Sequence, residues 1–323
     1  MEEAPRLFTV GSILADIRLE VPHLPARGGD VIGTGAAFSA GGGFNILAAA
    51  ARQGMACVFA GRHGSGPYGT RIRADLAAEN ILALLPPVAD SDSGFCLVMV
   101  EPDGERTFVS SPGVEAALGG RRFADLDLRP GDTVFASGYD LAYPELGPAI
   151  AAWMESLPRS IRFVVDPGPL VADIPAPVMA RIMPRATVWS MNRREAALLT
   201  GTAAFPAVRA RLTPGLAPDA LLILRDGEAG AWASESAGSL PVLVPSPVVR
   251  MVDSTGAGDS HAGVLIAALA AGLSPRAAIA RANAAAAFSV TRPGPATAPD
   301  KRELDQFLAG ATPPAERSAA EAD

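Results

Sequence analysis

The chain is poor in cysteine, in histidine and in positive charge. Cys57 and Cys96 are its two cysteines, too few for a disulfide framework or a four-thiolate metal site, and both fall in apolar runs that predict inert core positions. The three histidines, His23, His63 and His261, have no metal-ligand spacing to one another or to the cysteines. Acids outnumber bases, 34 against 27, for a net charge of −7. That balance argues against general nucleic-acid binding, which relies on Lys and Arg to neutralise phosphates. Long apolar runs are missing too: Gly263 to Leu273 is too short to span a bilayer. Leu7 to Ala15, preceded by Glu2 and Glu3, lacks the flanks of a secretory signal. The expectation is a cytoplasmic protein acting on small molecules, with no membrane or nucleic-acid partner.

What is present is apolar residue in quantity: 49 % of the 323 residues are hydrophobic and 19 % charged, enough to bury a sizeable core. The length suits one large α/β domain with a small appendage. The stretch around which the chain is organised is Asp253-Ser254-Thr255-Gly256-Ala257-Gly258-Asp259. It is a glycine-broken turn between an extended run, Val242 to Val252, and an apolar helical run, His261 to Ala271. A helix N-terminus presents unpaired N–H groups and the positive end of the dipole, and so holds an anion readily. Gly256 and Gly258 let backbone approach a ligand closely, and Asp259 is the nearby acid that could take a proton from an incoming hydroxyl. The stretch therefore reads as a phosphoryl-transfer site, although no Lys follows the glycines as in a Walker A loop. Asp, Ser and Thr are also good N-caps, so a plain helix start accounts for the same spacing.

Earlier in the chain, Leu7 to Val10 reads as a buried strand. Ile17 to Val21 alternates apolar and polar residues like a strand with one wet face, and Asp16 stands at the handover, as a turn residue or as a ligand-binding one. Gly41-Gly42-Gly43-Phe44-Asn45 precedes the alanine-rich helix Ile46 to Arg52. Three glycines in a row favour close approach of a ligand, and Asn45 is either a cap or a partner for a substrate hydroxyl. Gly64-Ser65-Gly66-Pro67-Tyr68-Gly69 matches the dinucleotide fingerprint in form, which opens a second class, a dinucleotide-binding oxidoreductase. Against it, a strand and a helix already precede the match, and Pro67 removes an N–H from the phosphate cradle. Phe95 to Val100 and Arg106 to Ser110 flank a turn and form a hairpin. With Ile17 to Val21 and Val31 to Gly33 they predict a small sheet, a natural lid.

After residue 120 the short apolar runs Thr133 to Ala136, Phe163 to Val165, Val188 to Met191 and Leu221 to Leu224 lack alternation, as strands covered on both faces do. Helical segments such as Pro144 to Leu157 and Arg194 to Leu199 intervene. The fold class is α/β, a doubly wound and mostly parallel sheet flanked by helices, with ligands at the carboxyl ends of the strands. Asp166, Asn192, Gly227 and Asp259 fall just past such ends. Asn192 with Glu195 three residues on fits a capping box; the alternative is that Glu195 positions Mg²⁺, directly or through water, while Asn192 addresses phosphate.

Taken together these residues resemble the ribokinase-like, PfkB-type carbohydrate kinases over about residues 6–310. The most specific piece is the 253–259 stretch, followed by Ala282-Asn283-Ala284-Ala285-Ala286-Ala287 and Val290-Thr291-Arg292-Pro293-Gly294. The N-terminal Gly-Ser-x-x-x-Asp, the glycine cluster with Asn45, Asp166-Pro167-Gly168, Asn192-x-x-Glu195 and Gly227-x-x-Gly230 occur in family order. The resemblance implies ATP- and Mg²⁺-dependent transfer of a γ-phosphoryl group to a hydroxyl of a sugar such as ribose or fructose, or, within the same family, of a nucleoside. It makes Asp259 the base and the N–H groups of Gly256, Ala257 and Gly258 the anion hole. Asp16, Gly41, Gly42 and Asn45 would hold the sugar; Asn192, Arg225, Gly227 and Asn283 would line the nucleotide; Glu195 would serve Mg²⁺. Many relatives also use a monovalent cation such as K⁺, for which Asp253 and Thr255 match family positions, with carbonyls of the Ser289 to Gly294 loop and Thr297 near by. The chain departs from the pattern at Arg225-Asp226, where many members carry Thr-Leu, and at His261, which replaces an aromatic. The resulting layout is a kinase domain over 1–310, with lid segments at about 16–38 and 95–112 that pair into a homodimer through exposed strand edges, and a disordered tail over 311–323.

Overall fold

The computed structural model describes residues 3–310; the tail expected to be disordered, 311–323, lies outside them. Among the described residues nine strands form the main sheet, in the spatial order Val242–Val244, Ala231–Ser234, Leu221–Arg225, Val188–Asn192, Arg162–Asp166, Thr133–Ser137, Arg6–Thr9, Ala56–Phe59 and Leu82–Ala83. All pair in parallel except the first two, which add antiparallel at one edge.

The apolar runs lack alternation because successive side chains enter two different cores. Leu221 and Ile223 join one core and Leu222 and Leu224 the other; Val188 and Trp189 divide the same way. The first core is closed by the helices Gly43–Arg52, Ala257–Ala270 and Pro275–Ser289, the second by Leu146–Ser156, Ala176–Ile182 and Phe205–Leu212. This is the doubly wound arrangement the sequence predicts. No helix of the described residues is long and apolar enough to cross a membrane.

Three local expectations shift. The extended run at 242–252 forms ladder pairs only over Val242–Val244, because Pro245 and Pro247 cannot donate to one. The helix expected from His261 begins at Ala257, so Asp259 lies within its first turn. The small sheet has the order Gly35–Ala40, Ala15–Glu20, Phe95–Val100, Arg106–Ser111, and its outer strand is Gly35–Ala40 instead of Val31–Gly33. Residues 26–29 turn back on themselves and Ile32 is left 86 % exposed. The later register brings Phe38 edge-on to Tyr68, 6.0 Å between ring centroids.

Glu115, wholly buried, anchors the hairpin of the small sheet at its base. Its carboxylate accepts the N–H of Gly94 at 2.9 Å, where the chain enters the hairpin, and that of Gly113 at 2.7 Å, where it leaves. Replacing Glu115 by Ala strands two donors that water does not reach, and should cost about 2–4 kcal/mol of stability in urea unfolding. A loss under about 1 kcal/mol would show that the carboxylate is not the anchor.

Candidate active site

The carboxyl ends of the parallel strands deliver most of the residues singled out in the sequence to one place. Past the Arg6–Thr9 strand, the loop at Ser12 is pinned by Asp140. One oxygen of Asp140 accepts Ser12 N–H and Oγ–H at 2.7 and 2.8 Å; the other accepts Ser137 N–H and Oγ–H at 3.0 and 2.8 Å. The pinned loop leads into Asp16. Its carboxylate lies so close over Gly41 that any side chain there would overlap it, which explains one glycine of the cluster by contact. Gly42 has φ of 61° and opens the helix Gly43–Arg52 without a side-chain cap. A left-handed residue at that turn is the glycine's reason for being there.

Asn45, in the first turn of that helix, is no cap. Its Nδ2 donates to Oδ2 of Asp259 at 2.9 Å, 214 residues away in sequence, while its buried Oδ1 has no partner among the described residues. Burial raises the Asp259 carboxyl to about 6; the Asn45 hydrogen bond opposes the shift, Asp166 adds to it and Arg225 opposes it. Asp16 is raised to about 7 by burial and by the charge of Asp259. At neutral pH Asp259 is thus mostly ionised and Asp16 about half so, and an ionised carboxylate of either can accept a proton.

Gly256, with φ of 72°, precedes the helix Ala257–Ala270, which no side chain caps. A Cβ at Gly256 would overlap the carbonyl of Pro295, so the sharp approach to the helix is reserved for glycine. Ala257 N–H makes a long turn contact with Ser254 O, 3.3 Å. The exposed helix N-terminus beside Asp259 suits an anion.

Beneath it lies Arg225, the last residue of its strand. Its guanidinium donates to Asp166 at 2.5 Å, to Ser190 Oγ at 3.3 Å and to Glu195 at 3.3 Å, and stands 3.7 Å from the position a Gly258 side chain would occupy. Burial disfavours its charge, but Asp166 and Glu195 outweigh that and keep it protonated. Arg225 therefore points inward, under the anion site. Tyr139 was not singled out in the sequence, though it too follows a strand end. Its hydroxyl is raised to about 12 by burial and by Cys96, Asp259, Asp16 and Glu195, which places it on the same cleft.

Several expected contacts take other forms. Asn192 and Glu195 form the full capping box: Asn192 Oδ1 accepts Glu195 N–H at 2.9 Å, and the Glu195 carboxylate accepts Asn192 N–H and Nδ2–H, both at 2.7 Å. The Asn192 side chain is thus engaged at the helix start, with one amide proton left over. Asn283, expected on the nucleotide, is buried and donates to the carbonyls of Val244 at 2.7 Å and Pro245 at 3.3 Å, clamping the edge of the sheet. Gly227 sits in a left-handed turn with open space around it, beside Arg225, a wall a planar base could meet. His261 is buried, and burial and Arg225 lower it to about 3, so it is a neutral core residue. The Gly64–Gly69 loop cannot cradle a dinucleotide. Asp92 already accepts the N–H groups of Tyr68 at 3.0 Å and Gly69 at 2.8 Å, filling the helix N-terminus with the chain's own carboxylate.

The donor sets for ions differ. Asp166, Glu195 and Asp259 surround a single arginine, and burial and Asp166 raise Glu195, so the cluster holds excess negative charge. That suits a divalent ion already coordinated by phosphates, which needs only one or two carboxylates, often through water. Among the described residues no three acids, histidines or cysteines converge as a complete metal cage. The monovalent site fits poorly. Arg106 of the small sheet contacts Asp253 at 3.2 Å, Ser254 Oγ at 2.6 Å and Thr255 Oγ1, so the carboxylate expected to meet K⁺ already meets a guanidinium.

A buried acid in the first turn of an uncapped helix, a glycine turn before it and a small sheet in contact with that turn thus meet at the strand ends of a doubly wound α/β scaffold. The pfkB family carbohydrate kinase model matches residues 4–302, and the chain belongs to that family. It is 36 % identical over 303 residues, 92 % of each chain, to an uncharacterized sugar kinase, YegV, of Escherichia coli. Ribokinase from Thermotoga maritima superposes with a TM-score of 0.81 at 21 % identity, over 95 % of this chain and all of that one. Arabidopsis thaliana ribokinase, solved with ribose and ATP, gives 0.77 at 23 %, over 95 % and 99 %. The chain is an ATP-dependent kinase, and the oxidoreductase reading falls with the blocked Gly64–Gly69 loop.

The raised acids set a pH dependence of stability. Asp16 and Asp259 bind protons in the folded state, with values of about 7 and 6, that the unfolded chain has released above its ordinary carboxylate value of 3.8. Stability from these groups is therefore greatest at low pH and is lost as pH rises from about 4 to 7. Asp16→Asn should raise the melting temperature relative to wild type more at pH 8 than at pH 5, as scanning calorimetry would show. An equal shift at both pH values would show that burial and Asp259 do not hold the Asp16 carboxyl above its ordinary value.

Proposed function

We propose that this kinase transfers the γ-phosphoryl group of ATP to a hydroxyl of a free carbohydrate, ribose, fructose or a close relative, with Asp259 as general base. The observation that carries the reading is the placing of Asp259: in the first turn of an uncapped helix, held by Asn45, and facing Asp16. The acceptor hydroxyl gives its proton to Asp259, its oxygen bonds to the γ-phosphorus, and the bond to the departing ADP oxygen breaks. The chain's part is positioning and charge stabilisation, as expected for phosphoryl transfer.

Asp16 and Asn45, with the backbone of Gly41 and Gly42, accept and donate to the sugar hydroxyls, and Tyr139 walls the cleft. The Gly256–Gly258 backbone holds the transferring phosphoryl oxygens. Arg225 reinforces that site from below, and Gly227 lines the nucleotide. Glu195 and Asp166 would hold a Mg²⁺ ion, directly or through water, and such an ion would supply charge neutralisation at the phosphates. The small sheet serves as a lid. The single family match spanning nearly the whole chain supports a sugar acceptor, as does the likeness to YegV.

Two variants separate the roles. Asp259→Asn should keep ATP affinity and lose roughly 10²- to 10⁴-fold in kcat, the usual worth of a positioned base, in a coupled ADP assay over a panel of sugars and nucleosides. Asp16→Ala should raise KM for the sugar with ATP affinity little changed, since it leaves substrate hydroxyls unpaired. Near wild-type turnover in the first variant, or a lost ATP site in the second, would overturn the assignment; preference for a nucleoside in the panel would move the acceptor class.

The lid is also proposed as a dimer surface. Its outer strands, Gly35–Ala40 and Arg106–Ser111, have free edges among the described residues, and Phe108 and Val109 are over half exposed. Sedimentation should give a dimer at micromolar concentration, and a strict monomer would discard the surface.

A further inference from the structure

We propose that the guanidinium of Arg106 takes the place of a monovalent cation beside the anion hole, so that closing the lid and ordering the phosphate-holding loop are one event. The inference rests on the kinase reading above and begins with an inventory of the acceptors. Oδ1 of Asp253 takes the N–H of Thr255 at 2.9 Å, its hydroxyl at 2.6 Å and Arg106 at 3.2 Å. Oδ2 takes the N–H of Gly294 at 3.0 Å, and Arg18 of the lid lies 4.0 Å away. A carboxylate offers about four lone-pair sites, and four hydrogen bonds reach this one, three on Oδ1 and one on Oδ2, with the Arg18 charge beside Oδ2. Burial works to raise this carboxyl, yet the hydrogen bonds from Thr255 and Gly294 and the charge of Arg106 hold it below its ordinary value.

The neighbouring loop is closed in the same way. The carbonyl of Val290 accepts Val252 N–H at 2.7 Å and Asp253 N–H at 3.1 Å, that of Ser289 accepts Arg292 N–H at 3.1 Å, and the Thr297 hydroxyl, with one proton to give, lies 3.1 Å from the carbonyl of Ser289 and 3.3 Å from that of Gly294. Oxygens of Asp253, Thr255, Ser289 and Val290 that could face a K⁺ ion thus already take protein donors, and two arginines on the lid side oppose a further positive charge. A guanidinium brings something a spherical ion lacks, a rigid fork of several donors. Arg106 uses it to grip three consecutive side chains, Asp253, Ser254 and Thr255, directly before the left-handed Gly256 at which the anion hole begins.

The fork comes from the Arg106–Ser111 strand of the lid, 147 residues before Asp253. A lid that swings away withdraws it, and the loop loses its cation with it. Arg106 is therefore a positioning residue, acting on the phosphoryl group through the loop.

The test compares wild type, Arg106→Ala and Arg106→Lys in K⁺, Na⁺ and tetramethylammonium at fixed ionic strength, with and without a few millimolar guanidinium. Two readouts are taken: melting of the free protein, which needs no acceptor, and kcat on whichever sugar the panel identifies. Wild type should be indifferent to the cation within about twofold in both. Arg106→Ala should lose at least tenfold in kcat with a smaller change in sugar KM, regain part of it with guanidinium or K⁺, and melt higher in K⁺ than in tetramethylammonium; Arg106→Lys should fall between. Wild type stabilised or activated several-fold by K⁺ over tetramethylammonium would overturn the proposal, as would an Arg106→Ala protein with wild-type kcat. If no acceptor is turned over, the kinase reading fails, while the melting of wild type with and without K⁺ still decides this one. Should Arg106→Ala not fold, wild type and Arg106→Lys carry the same decision.

Discussion

The site depends on one buried cation. Arg225 ties together the ends of neighbouring strands: Asp166 closes the strand Arg162–Asp166, Glu195 follows Val188–Asn192, and Arg225 itself ends Leu221–Arg225. Buried charges are tolerated when paired and hydrogen-bonded, and breaking such a set leaves an uncompensated ion that costs far more than the set contributes. The strand ends are thus held in one register by electrostatics as well as by the ladder. Because the guanidinium also lies under Gly258, the same group that fixes the frame would, on the proposed mechanism, place positive charge beneath an incoming phosphate.

Around that cation the acids are in excess, and the fold is destabilised where it acts. Asp16 and Asp259 would be easier to accommodate apart, yet Asn45 holds Asp259 in place and the missing side chain of Gly41 leaves room for the Asp16 carboxylate near it. An acid near 6 is mostly ionised at neutral pH and still basic enough to accept a proton in the transition state. The tension between folding and chemistry is located in a few named carboxylates, and a bound sugar would relieve it by offering hydroxyl donors to both.

The parallel sheet was legible because burial on both faces writes continuous apolar runs, and the Thr133, Phe163, Val188 and Leu221 strands lie within a residue or two of their expected bounds. The 253–259 stretch was legible because glycine at a left-handed position and acid at a helix start leave a local trace. Contacts between distant segments leave none. Nothing in the sequence pairs Asn45 with Asp259, Arg106 with Asp253, or Asp92 with the Gly64–Gly69 turn, and each of these decides what a motif does. Asn283 shows the converse: its motif matches the family, but the neighbouring carbonyls of Val244 and Pro245 claim its amide. Tyr139 could have been found by applying the strand-end rule once more.

One packing detail bears on how the machine is timed. Gly263 lies one turn beyond Asp259, against the carbonyl of Ile46 and the methyl of Ala49, so close that a side chain there would collide with the neighbouring helix. Asn45 stands at the head of that neighbour. The two helices are therefore welded along a seam, and the base and its partner are mounted on the two sides of it. Such a mount does not follow a swinging flap. On the proposed mechanism the aim of Asp259 would be permanent, while the grip on phosphate would come and go with Arg106. A nucleotide arriving before the sugar would then meet an aligned base but no firm grip, and water would gain little from the encounter.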